Sequence, residues 1–340
     1  MSNYDFLTLR KRKQSLFIVE GNHEKNVLMK LLLKVFPEMS IKEEDILIFG
    51  TNIYMLYTAI VKEYEADWDT VDVDLAFLVS KMKGYESPLN KDDFNNIILI
   101  FDYERHDPSF SEEKIGRLQR YFIDSTDVGK LFLNYPMIES YQHFVGWPGN
   151  EFEHEEVSVT VQPGNQYKNM VKDTMIAQLV ELSVRFNEIL EEKFGVSNSE
   201  LREMCVEQLL LLKDRENVEA RIEDILKQVL SGDEMLTAKY LLLDIIKKAN
   251  YCKERCTYYE YVRRVFVEII RQNICKARKI VGESYNIPGD LLHDAFEMID
   301  FSQVLDAENE ASRDAESGVI KVLNTSVLLV PDYNFSLIEN

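Results

Sequence analysis

The run NIILIF at residues 96–101 constrains the fold more than any other feature of the sequence. A short apolar run rich in β-branched residues predicts a strand that is buried on both faces. Three more runs of this kind lie at residues 16–19, 46–49 and 130–133. Segments with the apolar spacing of amphipathic helices separate them, at residues 24–35, 52–64, 71–82 and 112–122. This alternation predicts an α/β fold with a mainly parallel sheet flanked by helices.

The sequence after residue 145 has a different pattern. Residues 168–282 carry long amphipathic segments, such as YLLLDIIKKA at 240–249, which predict helices. Residues 318–331 return to β-branched residues and predict a terminal hairpin or edge strand. We therefore expect an α/β domain at 1–145 and a mainly helical region at 146–340 that binds a substrate or a partner.

Charge and hydropathy restrict the classes of protein to consider. The formal net charge is −20, which argues against non-specific binding of nucleic acid over the whole surface but is compatible with a local basic site. No apolar run approaches the roughly 20 residues that a membrane-spanning helix needs. We therefore expect a cytoplasmic protein with no membrane partner.

Acidic side chains follow three of the predicted strands. Glu20 follows the first strand, Asp102 and Glu104 follow the third, and Glu139 comes shortly after the fourth. Ligands collect at the carboxyl ends of parallel strands, and residues two apart in an extended segment point to the same side. Because carboxylates are the ligands that hard divalent cations prefer, we expect Glu20, Asp102 and Glu104 to bind Mg²⁺ or Mn²⁺. Glu139 is a further catalytic candidate.

A simpler interpretation applies to each acid by itself. A single acid at the end of a strand is usually solvated, or it stabilises the N-terminus of a helix. Three acids in this order, with Gly21 directly after the first, favour a metal-dependent phosphodiesterase site instead. In such a site, one or two cations stabilise the attacking and leaving oxygens of phosphoryl transfer.

The segments VEG at 19–21 and DYE at 102–104 resemble the signature of Toprim domains. This catalytic fold occurs in type IA and type II topoisomerases, bacterial primases and OLD-family nucleases. The Toprim pattern has a glutamate, usually followed by glycine, after the first strand and Asp-x-Asp after the third. Glu104 departs from it, since glutamate stands where aspartate is usual, although its carboxylate remains an oxygen ligand. In OLD-like members a second acid follows the first glutamate, and Glu24 matches it as a further metal ligand. The resemblance covers residues 14–145.

Within the Toprim superfamily, the segments VEGxxEKN, FDYERHD and NYPMIESY are most similar to the effector of PARIS-type antiphage defence systems. This resemblance implies a toxic, metal-dependent endonuclease that cleaves host tRNA in abortive infection and is held inactive by an ABC-type ATPase sensor. The sequence has no GxxxxGK[ST] P-loop, so any ATP dependence would come from that partner. Two alternatives stay open, a DNA-cleaving OLD-like nuclease and a non-catalytic Toprim scaffold that regulates an ATPase. Each is compatible with a homo-oligomer.

Basic residues in two places are candidates for contacts with nucleic acid. Lys25 and Arg105 lie beside the predicted metal ligands, as do His23 and His106, which are candidates for proton transfer or phosphate binding. Residues 247–279 contain ten basic residues against three acids, with tyrosines between them. The candidates in this basic segment are Lys247, Lys248, Arg263, Arg264, Lys276, Arg278 and Lys279. Cations neutralise phosphates and aromatic rings stack on unpaired bases. The alternative is a solvated helix face whose tyrosines pack inward.

Overall fold

A computed structural model describes residues 14–42, 45–144, 151–213, 217–249 and 251–339. The chain divides into two compact units. The first unit comprises Met1–Val171 and Ile269–Asn340, and the second comprises Lys172–Glu268. No helix in the described ranges is long and apolar enough to cross a membrane.

The first unit is built on a five-stranded sheet. Its strands are β1 (Gln14–Val19), β2 (Ile46–Ile48), β3 (Phe94–Asp102), β4 (Ile123–Asp124) and β5 (Gly129–Asn134). Their order across the sheet is β2-β1-β3-β5-β4, and every neighbouring pair is parallel except β4 with β5. The four predicted strands and the mainly parallel sheet are therefore confirmed. The sequence pattern missed β4, because both of its residues are exposed and it has no apolar run.

Helices connect the parallel strands of this sheet. A π-helical segment, Glu24–Met29, leads into α1 (Lys30–Val35), and the next helices are α2 (Ile53–Tyr64), α3 (Leu75–Met82) and α4 (Glu112–Tyr121). The side chains of Asn52, Asp74 and Ser111 cap the last three by accepting backbone N–H groups. The predicted helix start at residue 71 was wrong, because Asp74 caps α3, which begins at Leu75, four residues later.

The core of the first unit lies on both faces of the central strands. In β1 the side chains from Leu16 to Val19 are all buried, and in β3 those from Ile97 to Asp102 are buried. Such strands are read from the sequence as continuous apolar runs, as expected for a parallel sheet covered on both sides. The only acid in the buried part of β3 is therefore its last residue, Asp102.

After β5 the chain adds a short strand, β6 (Glu156–Ser158), and a short helix, α5 (Lys168–Val171). The second unit is helical in its described residues, as predicted for this part of the sequence. Its helices are α6 (Met175–Val180), α7 (Leu182–Glu188), α8 (Ser199–Leu210), α9 (Val218–Leu226) and α10 (Gly232–Lys248), and α11 (Tyr258–Ile280) contributes residues to both units.

The final part of the chain belongs to the first unit. It comprises α12 (Leu292–Glu297), α13 (Phe301–Ala311), β7 (Val319–Lys321) and α14 (Leu329–Tyr333). The predicted β segment at 318–331 is confirmed only for β7, which pairs antiparallel with β6. The rest of that prediction was wrong, since a 3₁₀ helix, Ser326–Leu328, leads into α14. The hydroxyl of Thr325 donates to the Leu133 carbonyl and that of Ser326 to Asn134 Oδ1, so tertiary contacts to β5 override the β-branched pattern.

Candidate metal centre

The acids lie where the strand order of the sheet reverses. The chain passes from β1 to β2 on one side of β1 and then returns to β3 on the other side. Loops therefore leave neighbouring strands in opposite directions, which opens a crevice at their carboxyl ends. Glu20 directly follows β1 and Asp102 ends β3, and the Asp102 N–H donates to Glu20 Oε2 at 3.3 Å. The topology thus brings these two acids to one point.

Glu20, Asp102 and Glu104 form a compact acid triad. One carboxylate oxygen from each lies within 4.8 Å of the other two. Asp102 is buried, whereas Glu20 and Glu104 are half-buried. Among the described residues, none donates a hydrogen bond to the buried Asp102 Oδ1. An unpaired buried carboxylate oxygen is costly, and the three-oxygen set has the chemistry that Mg²⁺ or Mn²⁺ requires. The residues present therefore fit a hard divalent cation.

The acids of the triad destabilise one another's charges. Burial, and then the charge of Glu104, raise the pKa of Glu20 to about 8, although the Asp102 N–H partly offsets this. Burial and the charge of Glu20 raise the pKa of Asp102 well above its usual range. Burial and the charge of Asp107 also raise the pKa of Glu104. A divalent cation would relieve this repulsion, since an adjacent positive charge favours the ionised carboxylates.

Glu104 reaches the triad through a left-handed backbone turn. Its φ is 51°, so the extended geometry from which the sequence analysis expected Asp102 and Glu104 to share a side ends at Asp102. Tyr103 anchors this turn, because its hydroxyl donates to Asn309 Oδ1 at 2.7 Å and its carbonyl accepts from the Tyr54 hydroxyl. The two acids meet as predicted, but by a different local conformation.

A cavity of about 540 Å³ opens beside the triad. Glu20, Asp102 and Glu104 line it, together with Gln162, Pro163 and Gly164 at the start of a π-helical segment, Pro163–Tyr167. Three further titratable side chains from the sequence predictions, His23, His106 and Glu24, also line the cavity. Its volume is within the range typical of small-molecule and cofactor sites.

Glu24 also lines this cavity, and one of its carboxylate oxygens accepts a backbone hydrogen bond. It is buried, and its Oε2 accepts a hydrogen bond from the Gly21 N–H at 2.8 Å. A Cβ atom at Gly21 would lie 3.2 Å from the same oxygen, so glycine leaves room for this contact. Burial raises the pKa of Glu24.

Glu139 is buried and is paired with a lysine. Its Oε1 is 2.9 Å from Lys168 Nζ and 3.8 Å from His23 Nδ1. The sequence analysis missed Lys168, which begins α5 and lines the cavity. The sequence predicted a turn at Pro163-Gly164-Asn165, where the structure has a π-helical segment, Pro163–Tyr167, but no spacing rule connects this segment to Glu139.

The other predicted residues around the triad have separate contacts. His106 Nε2 contacts the Val159 carbonyl, while burial lowers the pKa of His23. Lys25 donates to the Ile46 carbonyl at 2.8 Å. The Arg105 guanidinium packs over the Phe110 ring and donates to the Ser312 carbonyl. Lys25 and Arg105 are thus held by protein groups outside the cavity lining.

In the first unit, the basic segment is engaged in protein contacts. Lys276 is buried and donates to the carbonyls of Phe152, Glu153 and Glu155 at 2.6 to 3.0 Å. Burial lowers its pKa to about 8. Lys279 pairs with Glu153 at 3.1 Å, and Arg278 donates to the Met298 carbonyl. Lys276 therefore has a structural role.

In the second unit, the basic residues lie on helix surfaces. Lys247 and Lys248 are exposed, and Lys248 pairs with Asp244 at 2.7 Å. Arg263 is half-buried, and the exposed Arg264 donates to Cys256 Sγ. The neighbouring tyrosines Tyr251 and Tyr258 are buried and donate to the carbonyls of Leu209 and Leu179. These two tyrosines pack inward and are not available to stack on bases.

Comparison with known proteins assigns no family to the chain. No protein-family model matches the chain, and neither a curated protein nor a solved structure matches it. The function is therefore argued from the acid triad and its surroundings.

Proposed function

We propose that the protein is a divalent-metal-dependent endonuclease of the Toprim type. The observation that carries the proposal is the acid triad at the crevice between β1 and β3, with a buried Asp102 oxygen that lacks a hydrogen-bond donor among the described residues. Ligand sites of open parallel sheets lie in such crevices. The side chains of Glu20, Asp102 and Glu104 would hold Mg²⁺ or Mn²⁺ there.

The surrounding side chains position a phosphodiester and move a proton. When bound, the cation would supply the positive charge that stabilises the phosphoryl oxygens during displacement. Burial lowers the pKa of His23, which favours the neutral imidazole that a proton acceptor needs. Gln162, Pro163 and Gly164 line the same cavity and would contact the bound substrate.

Host tRNA is the substrate that we propose, and an ABC-type ATPase sensor is the proposed inhibitory partner in antiphage defence. Both follow from the sequence resemblance of the segments around Glu20, Asp102 and Glu139 to PARIS-type effectors. The pairing of Lys276, Lys279 and Arg278 with protein groups leaves the cavity, more than that end of the basic segment, as the expected point of contact with RNA.

A cleavage assay tests the proposed activity. Purified protein is incubated with Mn²⁺ and either total tRNA or plasmid DNA, and the products are separated on gels. We expect tRNA fragments from the wild type and from Glu86→Gln, which alters an exposed acid, but none from Glu20→Gln. Cleavage by Glu20→Gln would contradict the site. Cleavage of plasmid alone would favour the DNA-cleaving alternative, and silence of the partner-free protein would favour the scaffold.

A further inference from the structure

Two side-chain contacts join the segment that carries Glu139 to the segment that carries Lys168. The first is the ion pair between these two residues, with Glu139 Oε1 2.9 Å from Lys168 Nζ. The second joins His143 Nδ1 to the Tyr167 hydroxyl at 3.0 Å. His143 lies four residues after Glu139, and Tyr167 directly precedes Lys168. Each contact therefore restrains the other.

The contact between His143 and Tyr167 is buried, whereas the ion pair is open to solvent at the lysine. His143 is 5% exposed and Tyr167 is fully buried, but the Lys168 side chain is 47% exposed. An ion pair with a solvent-exposed partner holds a side chain weakly, while breaking a buried hydrogen bond leaves buried polar groups unpaired. The buried contact is thus the stronger restraint on the position of Lys168.

Glu155 fixes the orientation of the His143 ring. Its Oε2 lies 3.3 Å from His143 Nε2, the other ring nitrogen. Burial and the charge of Lys276 lower the pKa of His143 to about 4, so the ring is neutral at pH 7 and has a single N–H. Because a carboxylate accepts, this hydrogen is assigned to Nε2, which leaves Nδ1 to accept from the Tyr167 hydroxyl. The Glu155 carbonyl is itself held by donors from Lys276 Nζ and the Val322 N–H, both at 3.0 Å.

Lys168 is the one lysine or arginine among the described residues that line the cavity. Five of the other lining residues are acids, namely Glu20, Glu24, Asp102, Glu104 and Asp107. A phosphate group that enters this cavity meets a surplus of negative charge, which a cation at the triad offsets only in part. An ammonium has three N–H donors and binds phosphate oxygens, so the position of Lys168 matters for an anionic substrate.

We infer that His143 is a positioning residue for substrate binding. Its Nδ1 accepts from the Tyr167 hydroxyl, which keeps the start of α5 in place and holds the Lys168 ammonium in the cavity, where it binds a phosphate of the substrate. His143 lies outside the cavity lining and acts through Tyr167 and Lys168. The phosphate contact rests on the proposed function, whereas the positioning of Lys168 does not.

Chemical labelling of Lys168 tests the positioning without substrate or metal. The intact protein is treated with limiting acetic anhydride at constant pH, and the modification of each lysine is followed by mass spectrometry. A lysine paired with a carboxylate is less often the neutral amine that reacts, so Lys168 should react severalfold faster in Tyr167→Phe than in the wild type. Tyr258→Phe is the matched control, because Tyr258 is also fully buried and its hydroxyl donates to the Leu179 carbonyl at 2.9 Å. Lys168 should react at the wild-type rate in this variant.

The kinetics of tRNA cleavage test what the positioning does. At saturating Mn²⁺, kcat/KM should fall roughly three- to tenfold in Tyr167→Phe, the range expected for the loss of one hydrogen bond. It should fall further in Lys168→Met, and adding Tyr167→Phe to Lys168→Met should cause no additional loss, because the hydroxyl acts through Lys168. His143→Asn, which keeps an acceptor for Tyr167, should lie between the wild type and His143→Ala. The affinity for Mn²⁺, measured by calorimetry, should be equal in all of these variants.

The outcomes separate the positioning of Lys168 from the proposed function. Equal labelling of Lys168 in the wild type and in Tyr167→Phe would overturn the inference. An unchanged kcat/KM in Lys168→Met would also overturn it, and so would an additional loss when Tyr167→Phe is combined with Lys168→Met. If the wild type cleaves neither tRNA nor plasmid while Lys168 is labelled faster in Tyr167→Phe, the proposed function is overturned and the positioning of Lys168 stands.

Discussion

At the scale of single residues, Glu104 combines an unfavourable backbone with an unfavourable charge. Its φ of 51° lies in the left-handed region, which non-glycine residues occupy at a cost of roughly 1 to 2 kcal/mol. Burial and the charge of Asp107 also disfavour its ionised carboxylate. A residue that lowers stability in two ways is expected at a functional site, where ligand binding offsets the loss.

We predict that Glu104→Asn stabilises the metal-free protein and weakens Mn²⁺ binding. Asparagine tolerates the left-handed region better than glutamate and adds no charge, so the free energy of unfolding should rise by about 1 kcal/mol. Chemical denaturation measures the first effect and calorimetric titration with Mn²⁺ the second. Ser40→Asn is the matched control, because Ser40 has a φ of 54°. It should gain stability without a change in Mn²⁺ affinity, and a Glu104→Asn variant that behaves like it would contradict the role of Glu104.

Glu308 is a buried acid outside the metal centre that gives a pH-dependent stability. It is fully buried on α13, and its Oε2 accepts from the Lys321 N–H at 3.0 Å. Burial raises its pKa to about 8, while that hydrogen bond and the charges of Lys321 and Lys276 partly offset the effect. The folded state therefore holds this proton more tightly than the unfolded state does.

We predict that the contribution of Glu308 to the free energy of unfolding falls as the pH rises from about 4.5 to about 8. In this window the folded protein binds more protons than the unfolded chain, so raising the pH favours unfolding. Urea denaturation of the wild type and of Glu308→Gln at pH 5 and pH 8 measures it. The wild type should lose more stability than the variant, on the order of 1 kcal/mol per unit of pKa difference. Equal losses would show that Glu308 does not titrate in this window.

The residues of the candidate site differ in how far the sequence predicts their positions. Glu20 and Asp102 were predictable, because each ends an apolar run and parallel strands share a carboxyl edge. Lys168 was not, since it reaches Glu139 from the start of α5, in a segment that carries no metal-site motif. Its role depends on a tertiary contact between segments that the sequence does not link.

At the scale of secondary-structure elements, β5 is fixed to the end of the chain through Asn134. This side chain is fully buried, and its Oδ1 accepts from Ser326 Oγ at 2.8 Å and from the Ser326 N–H at 3.2 Å. Asn324 adds a hydrogen bond to the Ile138 carbonyl at 2.7 Å. These contacts hold β5 and the 3₁₀ helix that carries Glu139, Ile138–Gln142, against the segment that ends in the 3₁₀ helix Ser326–Leu328.

We predict that Asn134→Ala lowers the free energy of unfolding by about 1 to 3 kcal/mol. The substitution leaves the buried N–H and hydroxyl of Ser326 without their acceptor, which costs more than the loss of an exposed hydrogen bond. Denaturant titration measures the change. Asn26→Ala, at an exposed position, is the control and should shift stability by well under 1 kcal/mol. Equal effects of the two substitutions would contradict this role of Asn134.

The elements differ in how far their sequences specify them. The strands β1, β3 and β5 were predictable from apolar runs, because strands buried on both faces carry few polar residues. The helical end of the chain at 326–333 was not, since its β-branched residues favour a strand. Buried hydrogen bonds from Thr325 and Ser326 to β5 decide its conformation instead.

At the scale of the whole molecule, the first unit depends on residues from both ends of the chain. Tyr135 forms an antiparallel bridge with Leu323, and β6 pairs with β7. Tyr103, next to Asp102, donates to Asn309 of α13. The change from alternating strands and helices to helices alone near residue 146 is visible in the sequence. The packing of the last residues against the sheet is not, because it depends on polar contacts between residues far apart in the sequence.

We predict that a fragment of residues 1–171 does not fold cooperatively by itself. It lacks β7, α13 and the 3₁₀ helix Ser326–Leu328, which satisfy buried polar groups of β5 and of the Tyr103 turn. Circular dichroism during heating measures this, with the intact protein as reference. The fragment should show no sharp transition. A cooperative transition like that of the intact protein would contradict the dependence on residues 269–339.

The central claim is that Glu20, Asp102 and Glu104 hold a divalent cation. An anomalous difference map from crystals grown with MnCl₂ tests it most directly, because it locates manganese independently of activity. The account predicts a peak coordinated by oxygens of these three carboxylates in the wild type and its loss in Glu20→Gln crystals. A wild-type map at saturating Mn²⁺ with no peak at the three carboxylates would contradict it.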